Sequence, residues 1–169
     1  MVGINVMFTY CNDIAASIFP TLKPVIGTIM QFLFLCFSAF SIGYVNRYGR
    51  KEITLWGTYG LIIVLYTMAF GYFISASFPS LAKLIIFTTL ILYLFVYGMT
   101  YAPVMWMWLA EAIQPHRLGY AITVNWSGAT IVMIGFPIVQ NLVPNQGYIF
   151  AFFGSFAVFS LYMTNKYML

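Results

Sequence analysis

The sequence predicts an all-α membrane protein with six transmembrane helices. Of its 169 residues, 63% are hydrophobic and only 6% are charged, whereas about a quarter of the residues in a soluble domain are charged. Seven basic and three acidic side chains cannot coat a water-soluble surface. Apolar stretches follow one another along the chain, near the ~20 residues that a bilayer-spanning helix needs. Residues 1–169 are therefore expected to form a single transmembrane domain.

The predicted spans are not equally regular. The first is the weakest, because polar Asn5, Asn12 and Asp13 interrupt it. The fourth is long enough to tilt or to bend at Pro103, and Pro137 interrupts the fifth. The spans cover residues 1–19, 24–45, 53–75, 81–110, 118–143 and 148–163.

Basic residues are unevenly distributed between the predicted loops. With six spans, one side of the membrane holds five of the seven cations, and the other side holds only Lys23 and Lys83. Because cytoplasmic loops carry an excess of Lys and Arg, both termini are expected on the cytoplasmic or equivalent inner side. The five cations of that side are Arg47, Arg50, Lys51, Arg117 and Lys166.

The composition disfavours several functional classes. The net charge of +4 is not arranged in a basic stripe, so nucleic acid is not an expected partner. Cys11 and Cys36 lie in apolar stretches without metal-ligand spacing, and we interpret them as small apolar filler. The sequence contains no nucleophile triad, phosphate loop or metal cluster. We expect no enzymatic activity and no bound metal or cofactor. Membrane lipid is an expected partner.

Charge is concentrated in one short stretch, VNRYGRKE, which occupies residues 45–52. Positive charge alone suffices to anchor a loop on the inner face. This loop also has Gly49 between basic residues, in the order R-x-G-R-K. It resembles the D/E-R-x-G-R-R loop between the eighth and ninth helices of the sugar porters, which belong to the major facilitator superfamily. Asn46 stands in place of the acidic member of that motif.

Further motifs occur in the same order as in the sugar porters. Gly3–Asn5 resembles the G-I-N of the seventh helix, and Pro103–Trp106 resembles the P-x-P-W of the tenth. The spacing from this tryptophan to Ala110–Glu111 is also similar to that of the family. Asn125–Trp126, followed by Phe136–Pro137, resembles the N-W and F-P of the eleventh helix. The sequence therefore resembles the C-terminal six-helix half of a sugar porter over essentially its whole length.

This resemblance implies a three-plus-three inverted repeat, with a substrate site near the membrane midplane that faces the other half. Amide side chains offer both donors and acceptors to sugar hydroxyls, and an indole ring can stack on a pyranose. The residues that the resemblance implies for substrate binding are Asn5, Trp106, Asn125 and Trp126.

The resemblance also implies an ion-pair latch that closes the cytoplasmic side. Such a latch makes charged contacts in one conformation and releases them in the other, which biases a two-state equilibrium. A purely structural ion pair at Glu111 is the alternative interpretation. The implied latch residues are Arg47, Gly49, Arg50, Lys51, Glu111 and Arg117.

Further departures from the family pattern concern polar side chains that would face the substrate in the family. Phe34 stands where the eighth helix usually has Asn, and Gly98 stands where the tenth helix has Glu. The glutamine pair of the seventh helix would precede Met1. Each departure removes polar surface that a sugar needs, because an unmatched hydroxyl costs about 1–3 kcal/mol.

Two functional hypotheses therefore stay open. The first is a half-size transporter that moves a hexose-type sugar by alternating access, together with an N-terminal-half-like partner chain. The second is a transport-inactive accessory subunit of a large membrane complex, for example a mitochondrial respiratory assembly. The resemblance implies the plasma membrane for the first hypothesis, whereas the second favours the mitochondrial inner membrane.

Overall fold

The computed structural model describes residues 4–8, 23–45 and 47–168. This part of the chain is helical, with short turns between helices and no strand. Residues 4–8 form a short helical stretch, whereas Asn12 and Asp13 of the first predicted span lie outside the described residues. The longer helices are α1 (Lys23–Val45), α2 (Arg50–Phe73, followed by a 3-10 turn at Ile74–Ala76), α3 (Pro79–Met99), α4 (Tyr101–Ala112), α5 (Pro115–Leu142) and α6 (Gly147–Tyr167).

Several helical segments of the described chain have the dimensions of membrane spans. By length and composition, four can cross a bilayer: Arg50–Ala76, Pro79–Ala112, Pro115–Leu142 and Gly147–Tyr167. The α1 helix contributes a shorter apolar stretch, Val25–Ser41. Helices suit hydrocarbon because they pair their own backbone N–H and C=O groups. The protein is thus an all-α integral membrane protein, which confirms the fold class predicted from composition.

The stretch predicted as one span at residues 81–110 contains two helices. Between α3 and α4, Thr100 adopts a non-helical conformation with φ −121° and ψ −69°. Pro103 lies in the first turn of α4, where a missing N–H costs no intrahelical bond. In a continuous helix its ring would clash with the carbonyl of Met99. The expected bend therefore occurs at Thr100, N-terminal to the proline that causes it.

The α5 helix continues through its internal proline. It runs from Pro115 to Leu142 with Pro137 inside, although sequence analysis marks this proline as an interruption. Membrane helices tolerate proline because local adjustments and neighbouring groups satisfy the freed carbonyl. The helix consequently remains a single segment of membrane-spanning length.

The α2 helix is central to the described bundle. It packs against α3, α4 and α6, while α1 packs against α3 and α4. Glycines permit close approach: a Cβ at Gly60 would lie 2.9 Å from Val96 Cγ1, and one at Gly154 would lie 3.1 Å from the Tyr66 ring. Such contacts matter because van der Waals packing drives helix association in lipid. The largest fully buried side chains include Leu61, Leu65, Met68, Leu90, Tyr93 and Phe150.

The α5 helix contributes little to this core. Among the described helices its main contact is with α4, and its buried residues are Ala129 and Phe136. Lipid tails or partner helices can cover the remaining apolar surface, so burial within the chain is not required. Its exposed large apolar side chains include Tyr120, Val124, Trp126, Ile131, Ile134 and Leu142.

Candidate functional site

The four side chains implied for substrate binding line one cavity of about 430 Å³. Asn5 comes from residues 4–8, Trp106 from α4, and Asn125 and Trp126 from α5. Helices α1, α3 and α6 complete the wall. The volume falls in the range typical of small-molecule sites. The structure thus brings together all four predicted residues, although their role in binding stays a prediction.

Helical spacing determines which face of α4 borders the cavity. Tyr101 and Met105 are four residues apart, as are Ala102 and Trp106, so both pairs lie on one side of the helix. All four line the cavity, and Trp106 is 46% exposed. Its indole offers a flat apolar surface and one N–H donor. Trp106 can therefore stack on a flat ligand and donate a hydrogen bond to it.

Two amides bring hydrogen-bonding capacity into this largely apolar environment. Asn5 and Asn125 each carry a carbonyl acceptor and two N–H donors. Asn125 is half-buried on α5, next to the exposed Trp126. A polar side chain in a membrane helix is stable only when it faces protein or water. Asn125 meets this requirement because its side chain lines the cavity.

A chain of hydroxyl groups joins the cavity to α2. The Tyr101 hydroxyl lies 2.7 Å from Thr58 Oγ1 and 3.1 Å from Ser160 Oγ. Thr58 donates its proton to the Thr54 carbonyl at 2.6 Å. Because each hydroxyl has one proton, Tyr101 donates to Thr58 and accepts from Ser160. Ser160, which lines the cavity, consequently presents free acceptor lone pairs to a ligand.

Three tyrosine rings are stacked along the broken α3–α4 segment. The Tyr93 and Tyr97 rings are 6.1 Å apart, and those of Tyr97 and Tyr101 are 5.7 Å apart, with interplanar angles of 13°. This stack continues across Thr100, so the break does not rotate α4 away from the face of α3. Tyr97 and Tyr101 both line the cavity. The stack therefore holds Tyr97 of α3 and Tyr101 of α4 together in the cavity wall, on either side of the break at Thr100.

The side of the cavity toward α1 is aromatic and apolar. The Phe34 ring meets the Phe8 ring edge-on at 4.8 Å and lies 6.3 Å from the Tyr97 ring. Phe34 also packs over Gly98, where a Cβ would lie 3.3 Å from Phe34 Cδ2. Both departures from the family pattern, at 34 and 98, are thus neighbours in space. Together they place a phenyl ring at the cavity wall.

A second cavity, of about 620 Å³, lies where α2 begins and α4 ends. Arg50 of α2 forms an ion pair with Glu111 of α4, and both line this cavity together with Gly49. Their side chains are 34% and 52% exposed. A pair this open to solvent contributes about 0.2–1 kcal/mol. The ion pair therefore adds little to the stability of the fold.

The other implied latch residues are not paired with a carboxylate within the described part of the chain. Arg47 and Arg117 are exposed, and Lys51 is partly exposed. Gly49 precedes α2 with φ −60° and ψ 140°, a conformation open to any residue. The structure thus unites Gly49, Arg50 and Glu111, and it does not bring Arg47, Lys51 or Arg117 into the ion pair.

Sequence analysis missed the hydroxyl chain entirely. Tyrosines at 93, 97 and 101 recur every four residues, a pattern that predicts one shared helix face. Thr58 and Ser160 are separated from Tyr101 by 43 and 59 residues, so no local pattern connects them. Their association depends on the packing of α2 and α6 beside α4.

The described residues thus form a bundle of membrane-length helices, with a cavity lined by amides and indoles and an ion pair at one end. The family described as "Sugar (and other) transporter" matches residues 1–168. The chain belongs to this sugar transporter family. The resemblance to the sugar porters of the major facilitator superfamily, inferred from short motifs, is thereby confirmed.

Several curated proteins are similar to this chain. It is 29% identical to a glucose transport protein of Synechocystis over 154 residues, which cover 84% of the chain and 33% of that protein. It is 28% identical to hexose transporter 1 of Plasmodium falciparum over 151 residues, which cover 85% of the chain and 29% of that protein. It is 25% identical to the D-xylose-proton symporter of Escherichia coli K12 over 149 residues, which cover 83% of the chain and 29% of that protein. The chain thus spans about a third of the length of these relatives.

Proposed function

We propose that this chain is a half-size sugar porter that moves a hexose-type sugar by alternating access, together with an N-terminal-half-like partner. The observation that carries the proposal is the convergence of Asn5, Trp106, Asn125 and Trp126 on one cavity. Membership in the sugar transporter family supports a sugar as the solute. The names of the relatives, which include glucose, hexose and xylose, support a monosaccharide.

In the proposed complex, the sugar lies between the amides and the indole rings. Asn5 and Asn125 exchange hydrogen bonds with ring hydroxyls, and Trp106 supports the apolar face of the pyranose. The acceptor lone pairs of Ser160 take up a further hydroxyl proton. This set of polar groups suits a neutral polyol, and the partner half supplies the rest of the binding surface.

Transport follows from rocking of the two halves about the bound sugar. The Arg50–Glu111 ion pair links α2 to α4 at one end of the bundle and stabilises the state in which that end is closed. We place this end, and both termini, on the cytoplasmic side of the plasma membrane, because the basic residues cluster there. Side-specific labelling of a cysteine introduced at Tyr48 checks this orientation.

The function is tested with the chain co-expressed with the N-terminal half of the Synechocystis glucose transport protein. Purified complexes are reconstituted in liposomes, and uptake and equilibrium binding of labelled glucose are measured. Asn125→Leu removes an amide from the cavity and is expected to weaken binding about tenfold, because the partner hydroxyl is left unmatched. Asn141→Leu changes an exposed amide on the same helix outside the cavity and is expected to have no effect.

Equal losses in the two variants would show that the cavity amide has no specific role. A complex that neither binds nor transports any monosaccharide would contradict the proposal. If the chain instead copurified with several unrelated membrane subunits, the accessory-subunit hypothesis would replace it.

A further inference from the structure

We propose that a groove between α2 and α6 binds an anionic phospholipid, with the lipid phosphate at Lys51 and Lys166 and one acyl chain along the groove. The groove has a volume of about 290 Å³ and shares no lining residue with the cavity at Asn125. The inference therefore does not depend on the transported solute. The residues that line the groove are Leu55, Tyr59, Val158, Leu161, Tyr162 and Asn165.

The groove lies on the side of α6 that faces away from the cavity. Successive residues of an α-helix are about 100° apart around its axis, so Tyr162 points about 160° away from Ser160. Ser160 bonds to Tyr101 inside the bundle, whereas Tyr59 and Tyr162 on the groove are 55% and 58% exposed. A partner half that covers the cavity would leave this opposite surface in contact with lipid.

The side chains along the groove match an acyl chain in character and length. On α2, Lys51, Leu55 and Tyr59 are spaced four residues apart and therefore lie along one face. They extend over about 12 Å of helix, compared with roughly 15 Å for the hydrocarbon of one leaflet. On α6, Val158 and Leu161 provide the facing apolar surface. An acyl chain can thus lie between the two helices along most of its leaflet.

Aromatic side chains mark the level of the membrane surface at this end of α2. The exposed rings of Tyr48 and Trp56 are 5.6 Å apart. Tryptophan and tyrosine concentrate at the level of the lipid headgroups. Because Trp56 directly follows Leu55, the groove begins near the headgroups and continues into the hydrocarbon.

Polar side chains at the same end can bind the lipid phosphate. Lys166 in the last turn of α6 donates a hydrogen bond from Nζ to the Tyr162 hydroxyl at 3.5 Å, which places its ammonium beside the groove. An ammonium has three N–H donors, so donors remain for a phosphate. Lys51 lies one turn beyond Leu55 at the start of α2. Asn165, which lines the groove, adds an amide donor between them and the acyl chain.

The charge around this end favours an anion. Within the described residues, Glu111 is paired with Arg50, and Lys51 and Lys166 form no ion pair with a described carboxylate. The exposed Glu52 offsets one of these positive charges. Basic pockets between membrane helices bind anionic headgroups, and the proposed orientation places this end in the leaflet that holds such lipids.

The test compares two lipids with identical acyl chains, palmitoyl-oleoyl phosphatidylserine and palmitoyl-oleoyl phosphatidylcholine. Their binding to the purified full chain is measured by native mass spectrometry. Phosphatidylserine is expected to bind at least about tenfold more tightly, because each lysine near an anionic lipid contributes about fivefold. Equal affinities would overturn the inference, as would a dimer of the chain that excludes lipid, since a second copy would then cover the groove.

A soluble competitor separates a lipid site from a general anion site. sn-Glycerol 3-phosphate carries the phosphate without the acyl chains, and at equal concentration it is expected to leave phosphatidylserine bound. Displacement of the lipid under these conditions would show that the phosphate alone is recognised and would overturn the inference.

Charge variants locate the headgroup. Lys51→Gln and Lys166→Gln are each expected to lower the ratio of the phosphatidylserine and phosphatidylcholine affinities about fivefold, whereas Lys166→Arg keeps the charge and the ratio. Arg117→Gln, at the start of α5 and outside the groove, is the control and is expected to leave the ratio unchanged. Equal losses in all three glutamine variants would attribute the preference to diffuse surface charge and contradict the inference. The ratio is read on folded chains, so partial unfolding of a variant does not alter it.

A further pair of variants locates the acyl chain. Val158→Trp fills the groove and is expected to remove most of the binding of both lipids, because the acyl chain loses the surface on which it lies. Phe159→Trp, at the neighbouring exposed position outside the groove, is expected to bind both lipids like the unmodified chain. Unchanged binding in Val158→Trp would exclude the groove as the lipid site.

Discussion

At the scale of single residues, Tyr101 joins α4 to α2, α3 and α6. Its hydroxyl bonds to Thr58 of α2 and Ser160 of α6, and its ring stacks on Tyr97. In surroundings of low dielectric constant, a fully satisfied network of this kind is strong and rigid. The same side chain borders the cavity, so the geometry of the cavity depends on the packing between helices.

We predict that Tyr101→Phe lowers the stability of the protein and changes the cavity at the same time. The variant leaves Ser160 without the acceptor that Tyr101 provides, which costs about 1–2 kcal/mol in buried surroundings. Thermal unfolding in detergent measures the loss. Tyr120→Phe, on the exposed face of α5, is the control and is expected to unfold like the unmodified protein. Identical unfolding of both variants would show that the hydroxyl chain carries no stability.

At the scale of the elements, the break between α3 and α4 depends on a glycine in another helix. Thr100 is held by hydrogen bonds to the Val96 carbonyl from its own N–H at 3.1 Å and from its side chain at 2.6 Å. Directly opposite, a Cβ at Gly57 of α2 would lie 2.5 Å from Thr100 Cβ. The non-helical residue and the glycine therefore fit together, and Gly57 leaves the space that Thr100 occupies at the break.

We predict that Gly57→Ala destabilises the protein by about 2 kcal/mol, within the range observed for overpacked cores. Gly119→Ala is the matched control, because a Cβ there meets nothing within 4 Å and alanine is the better helix former. Chemical unfolding in mixed detergent compares the two variants. Adding Thr100→Ala to Gly57→Ala is expected to restore only part of the loss, since it removes the clashing Oγ1 and Cγ2 atoms but leaves the Cβ of residue 100 at 2.5 Å. A control as unstable as Gly57→Ala would contradict this account.

The sequence predicts some features of these helices, and others depend on how the helices pack. The resemblance implies a substrate-binding role for both Trp106 and Asn125 because each belongs to a short motif, and the structure places both at one cavity. The helix break was expected at Pro103 and occurs at Thr100, because a proline disturbs the turn that precedes it. The pairing of Thr58 with Tyr101 was beyond prediction, since it depends on how distant helices pack.

At the scale of the whole molecule, the Arg50–Glu111 ion pair ties the beginning of α2 to the end of α4. In the proposed cycle, this contact forms when the cytoplasmic end is closed and breaks when it opens. Its energy of at most about 1 kcal/mol shifts such an equilibrium by about fivefold. An ion pair of this strength changes the populations of the two states, and both states stay populated.

We predict that Glu111→Gln shifts the equilibrium toward the state open at the cytoplasmic end, by up to about fivefold. Accessibility of engineered cysteines on the two membrane faces measures the shift. Glu52→Gln is the control, because this exposed carboxylate lies in the first turn of α2 and forms no ion pair with the described residues. An accessibility pattern that Glu111→Gln leaves unchanged would assign the ion pair a purely structural role.

The column of phenol rings at Tyr93, Tyr97 and Tyr101 also has an optical consequence. Excitation energy absorbed by stacked phenols migrates readily to a nearby indole, and Trp106 lies about one turn further along at the cavity wall. Of the chain's four tryptophans, Trp106 and Trp126 line the cavity, so replacing the other two would leave both remaining indoles at this site. In the proposed complex, a sugar bound against these indoles is expected to change their fluorescence, so that binding can be followed without a label.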